Sequence, residues 1–63
     1  MAISIKAARI NAEKTQAEVG KYVGKSIVTI RSYETYKSKP DVETAKKIAE
    51  FYGLTVDDIV WDK

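Results

Sequence analysis

A chain of sixty-three residues with net charge +2 and neither cysteine nor histidine excludes disulfides, Cys/His metal sites, and thiol or imidazole catalysis. So short a chain has a thin core, and its stability has to come from efficient helix packing. No apolar run reaches the length of a membrane span, and MAISIKAARI lacks a signal-peptide profile, so residues 1–63 read as one soluble, cytoplasmic domain that needs no cofactor or small-molecule ligand.

Helix signals then divide the chain without leaving a long linker. Ser4 can cap a first helix running to about Glu13, with Ile5 and Ala8 on one face. Thr15 opens a second helix with TQAE, a capping box in which Thr15 and Glu18 satisfy free backbone amides reciprocally. Val19 and Val23 form its apolar stripe, and Gly24 ends it. Ser26 caps a third helix, residues 27–35. Pro40 and Asp41 introduce a fourth, with Val42, Ala45, Ile48 and Ala49 at helical spacing and Gly53 as its stop. Thr55 with Asp58 suggests a last short helix through Trp61. No stretch alternates with period two over a strand's length, so the expectation is all-α with five helices.

The run GKYVGKS, Gly20 to Ser26, ends like a phosphate loop, but its glycines are four apart and G-x-x-x-x-G-K-[ST] requires five. Helical EKTQAEV precedes it where a buried strand is needed. A different geometry accounts for the run. Only Gly24 and Lys25 separate the second helix from the cap of the third, so the two helices meet at a tight turn. Gly24 supplies a left-handed residue there, and Gly20 leaves room for the close approach. With Ile30 set inward at ~100° per residue, Tyr33 and Glu34 also point inward, while Val28, Arg31, Ser32 and Thr35 point outward. One helix of a tight pair presented to the outside is the geometry of a DNA-binding helix-turn-helix.

The run TQAEVGKYVGKSIVTIRSYE resembles the helix-turn-helix of the phage repressor and Cro (XRE) family. The pattern is carried by Gln16, Val19, Gly20, Val23, Gly24, Ser26, Ile30 and Tyr33-Glu34, and beyond them by Lys6-x-x-Arg9, Pro40, Ile48-Ala49 and Gly53-Leu54-Thr55. Two positions depart from it. Lys25 stands where an apolar residue is common, and Tyr36 where a glycine often closes the third helix. The resemblance implies a compact lambda-repressor-like domain with the helix-turn-helix at helices 2 and 3. It implies base-facing roles for Ser26, Ile27, Val28, Ser32 and Thr35, and a phosphate contact for Gln16 at the positive end of its helix. It also implies a structural salt bridge between Arg9 and Glu34.

Charge and chemistry add to this. Residues 1–40 carry eight Lys and Arg against three Glu, whereas residues 41–63 carry three Lys against six acids, so one end suits a polyanion. Ile27 and Val28 cannot hydrogen-bond a base, but they can cover thymine methyl groups; otherwise they pack inward. Arg31, Tyr36, Lys37 and Lys39 are candidate phosphate contacts, with a solvated basic loop as the plain alternative. Lys46 and Lys47 read as a solvated face, and Asp57 and Asp58 as helix-start acids rather than a catalytic pair. Leu54 and Trp61 either close the core or form a dimer surface. The sequence therefore points to a non-enzymatic transcription regulator of phage or bacterial type, a homodimer on an operator in double-stranded DNA. The alternative is the same scaffold used as a protein-binding adaptor or antitoxin-type partner.

Overall fold

Side-chain caps at Ser4, Thr15, Ser26 and Asp41 each start an α-helix in the computed structural model, which describes residues 2–62. The helices are α1 (Ile5–Asn11), α2 (Gln16–Val23), α3 (Ile27–Glu34) and α4 (Val42–Phe51). Each cap lies in extended backbone and accepts the amide three residues on, from Ala7, Glu18, Thr29 and Thr44 in turn. At α2 the predicted box is complete, with Thr15 N donating to Glu18 Oε1 at 2.8 Å and Glu18 N to Thr15 Oγ1 at 3.1 Å. Hydrogen bonds from Thr15 hold the Glu18 carboxyl below its usual pKa, and those from the Thr44 side chain and amide do the same for Asp41. Both carboxylates are thus ionised acceptors at neutral pH.

The turn between α2 and α3 is built on two glycines with different tasks. Gly24 takes φ 74°, the left-handed conformation that ends α2. Gly20 is needed for space: a Cβ there would lie 2.6 Å from the Lys25 carbonyl oxygen. The obstacle is therefore the backbone of the turn itself, ahead of the Ile30 side chain at 3.6 Å.

The carboxy-terminal part differs from the five-helix expectation. After Gly53 the chain makes only a single 3-10 turn, Val56–Asp58, and then extends. Strand β1 (Ile3–Ser4) pairs in parallel with β2 (Ile59–Val60), placing Ile3 opposite Ile59 and Ser4 opposite Val60. Ile59 is buried and Val60 exposed, the alternation of a strand. The β-branched pair Ile59-Val60 gains more by closing the core as a strand than by continuing a turn it is poorly suited to propagate. Helical structure still dominates, and the two-residue ladder is a clasp between the ends of the chain.

Ile5, Ala8, Val19, Ile30, Tyr33, Ile48, Ala49, Tyr52 and Ile59 form the core, so every helix contributes its apolar stripe. Val42 is an exception to the predicted stripe: it stands at the first turn of α4, beyond the reach of the core, and is exposed. The helix α2 packs on both α3 and α4, and the second contact is aromatic. Tyr22 stacks on Phe51 with ring centroids 4.3 Å apart, and Lys14 Nζ lies 4.8 Å from the same Phe51 ring centre.

Tyr52 buries its hydroxyl without a hydrogen-bond partner among the described residues. Burial pushes the phenol pKa well up, and the Glu34 charge adds to the shift while Arg9 opposes it. An unsatisfied buried hydroxyl costs about 1–3 kcal/mol. Tyr52→Phe is therefore expected to keep or raise the urea midpoint of unfolding. A loss above about 1 kcal/mol would mean that the hydroxyl is bonded in solution.

Candidate nucleic-acid interface

The two faces of α3 differ sharply. Ile30, Tyr33 and Glu34 are buried, while Ile27, Val28, Arg31 and Thr35 are exposed and Ser32 is half-buried. This follows from one turn every 3.6 residues with Ile30 and Tyr33 drawn into the core. On the outer side, Val28, Arg31, Ser32, Thr35 and Lys37 line a shallow depression of about 170 Å³. Five of the residues expected to touch DNA from α3 and the loop after it thus share one concavity. It carries two cations and no carboxylate.

The hydroxyls on this side are partly committed within the chain. Ser26 Oγ accepts the Thr29 amide at 3.2 Å and lies 3.1 Å from Thr29 Oγ1. Thr35 Oγ1 donates to the Arg31 carbonyl at 3.0 Å, which leaves it only acceptor capacity towards a ligand. Ser32 Oγ accepts from Ser38 Oγ at 3.0 Å and keeps its own proton to donate. Arg31 and Lys37 are exposed and pair with no carboxylate among the described residues.

Behind this face lies a buried charge cluster that joins three elements. Arg9 Nε of α1 donates to Glu34 Oε2 of α3 at 2.6 Å, and Arg9 Nη2 to Glu34 Oε1 at 3.3 Å. The Arg9 and Glu34 side chains are 13% and 3% exposed. Arg9 Nη1 also donates to the Lys14 carbonyl at 2.9 Å, just before α2. Gln16, expected at a phosphate, instead turns its amide inward and donates from Nε2 to Glu34 Oε1 at 3.1 Å. One Gln16 amide hydrogen remains, at the positive end of α2. The spacing of residues carried no sign of this third partner, because it exists only once α2 has packed beside α3.

Tyr36 departs most from its expected place. Its phenol is engaged within the chain: the hydroxyl donates to the Val60 carbonyl at 3.0 Å and accepts from the Ile5 amide at 3.4 Å. Tyr36 itself adopts φ 61°, the left-handed conformation for which a glycine is the usual choice. The bonds to the first residue of α1 and to β2 compensate the strain, which is about 1–3 kcal/mol for a residue held in such a conformation. Lys39 is paired as well, with its Nζ 2.9 Å from Asp62 Oδ2, but both side chains are well exposed, so solvent screening leaves the pair weak.

Leu54 and Trp61 line two depressions that share Val56. Both pack partly buried against the core. Trp61 Nε1 donates to the Val56 carbonyl at 2.8 Å, which fixes the indole beside Pro40 and exposed Val42. None of the described helices is long and apolar enough to cross a membrane.

Comparison with known proteins agrees with this geometry. Over 54 residues the chain is 33% identical to the cryptic phage CTXphi transcriptional repressor RstR of Vibrio cholerae. The alignment covers 86% of this chain and 49% of that protein, so the chain spans about half the length of the curated relative it matches. No solved structure matches at a significant level. The helix-turn-helix family HTH_3 matches residues 5–59, which take in all four helices and the turn at Gly24. The chain belongs to this helix-turn-helix family.

Proposed function

We propose that this chain is a sequence-specific, double-stranded-DNA-binding transcription regulator of the phage or bacterial repressor type. The observation that carries the reading is the outer face of α3, where Val28, Arg31, Ser32, Thr35 and Lys37 share one carboxylate-free concavity. A helix presented in this way enters the major groove with its first turns against base edges. Arg31 and Lys37 neutralise flanking phosphates, and the remaining Gln16 amide hydrogen serves a phosphate at the start of α2. Ser26, Ile27, Val28, Ser32 and Thr35 face the bases. Residues 1–63 act as a single DNA-binding unit, and the likeness to a phage transcriptional repressor supports the regulatory role.

The species bound to DNA is a homodimer, since one recognition helix reads too few base pairs for useful specificity. The pairing surface is the carboxy-terminal side around Leu54 and Trp61. The Trp61 half is the stronger part, because exposed Val42 extends it. Selection of binding sites from random duplex DNA tests the whole reading. Palindromic sites are expected, with half-site centres ~10 base pairs apart. Recovery of no enriched sequence would overturn it, and full-affinity binding to a single asymmetric half-site would overturn the dimer.

A further inference from the structure

Val28 is 73% exposed, more than any other large apolar side chain among the described residues. It lies in the first turn of α3, the part of a recognition helix that meets base edges. Its neighbours on this face are ill suited to strict hydrogen-bond reading. Ser26 is occupied as a helix cap, Thr35 donates to its own helix, and Ser32 is a lone hydroxyl that can serve several bases. The chain also offers no Asn or Gln on α3 for adenine. With Arg31 of the same face placed at a phosphate, the remaining discrimination falls to an isopropyl group, which gains only by covering apolar surface. The major-groove edge of DNA offers one apolar group, the methyl on C5 of a pyrimidine.

Resting on the DNA-binding reading above, we propose that Val28 makes this domain a reader of the pyrimidine 5-methyl group, whether thymine or 5-methylcytosine carries it. The two bases place that methyl at the same point of the groove. Cytosine-5 methylation of a half-site therefore strengthens binding where the methyl falls opposite Val28. Ile27, 44% exposed beside it, closes the apolar contact on the core side. Occupancy of an operator by this protein then depends on the methylation state of the DNA as well as on its sequence.

The test uses the full chain and duplexes recovered by selection from random DNA. Each thymine of a half-site is replaced in turn by uracil, which removes the methyl and keeps the base pair. The same positions are also rebuilt as cytosine–guanine and as 5-methylcytosine–guanine pairs. At one position uracil is expected to weaken binding roughly fivefold, and 5-methylcytosine to bind roughly fivefold more tightly than cytosine, the effect of covering a few tens of Å² of methyl surface. For Val28→Ala both ratios should approach one; its fold, checked by circular dichroism, is expected to persist because Val28 supports no core packing. Equal uracil effects in both proteins, or none at any position, would overturn Val28 as the reader. A uracil effect without a 5-methylcytosine gain would overturn the shared-methyl reading. Failure of the DNA-binding reading shows itself earlier, when selection enriches no sequence at all.

Discussion

Arg9→Ala is expected to unfold at far lower urea concentration than the parent chain, with about 3–5 kcal/mol of stability lost. The size of this effect comes from what remains. Glu34 keeps a side chain only 3% exposed, and it would then be a buried carboxylate with Gln16 Nε2 as its single side-chain donor. The Lys14 carbonyl would lose the Arg9 Nη1 bond that anchors the approach to α2. At about 0.05–0.15 kcal/mol per residue, a domain of this length has only about 3–9 kcal/mol in all. Arg9→Ala is therefore at the edge of unfolding at room temperature. Glu34→Ala belongs to the same class, since it strands a guanidinium that is 13% exposed. Replacing both residues by apolar ones, Arg9→Met with Glu34→Leu, should cost less than either alanine variant, because no buried charge is left without a partner. An Arg9→Ala protein with an unchanged unfolding midpoint and weakened DNA binding would reverse the assignment, making Arg9 a DNA contact.

Local rules explain which parts of this structure are legible from sequence. Helix starts depend on a side chain and an amide three residues apart, so Ser4, Thr15, Ser26 and Asp41 announce them, and Gly24 announces its turn. Spacing alone also separates the two faces of α3, because Ile30 and Tyr33 fix the phase of the helix. The clasp is a different case. Each of its strands is two residues long, too short for alternation to register, and the partners lie at opposite ends of the chain. Tyr36 is obscure for the same reason, since its hydroxyl partners are 31 and 24 residues away. In the sequence it stands out as a residue where a glycine is common and as a candidate phosphate contact. The structure shows that Tyr36 bears the left-handed backbone itself and uses its hydroxyl to tie the end of α3 to the start of α1 and to β2. Gln16 shows the limit of carrying a role over by position: its place at the start of α2 is as expected, but one of its amide hydrogens belongs to the buried cluster.

Binding to duplex DNA is expected to fall about a thousandfold between 50 and 200 mM salt. A dimer that neutralises phosphates with Arg31, Lys37 and Lys39 of each protomer displaces condensed counterions, at a slope of about −0.9 in log affinity per phosphate. The total slope is then about −5. Arg31→Glu and Lys37→Glu should each lower affinity and flatten the slope, because both side chains lie in the depression on the outer side of α3. Lys46→Glu should change the slope little, since Lys46 lies outside the depression on the outer side of α3. Lys39 adds a finer test. Its exposed pair with Asp62 has to open before a phosphate can take its place, so Asp62→Asn should strengthen DNA binding slightly, by no more than the 0–1 kcal/mol of an exposed pair. The rival use of this scaffold, as an adaptor for another protein, gives the opposite pattern. Exposed Val28 would then belong to an apolar docking patch, and whatever binds there would do so with affinity nearly flat in salt. Duplex affinity that is flat across the same range, with Arg31→Glu and Lys46→Glu indistinguishable, would remove the electrostatic basis of the DNA reading and leave the adaptor in its place.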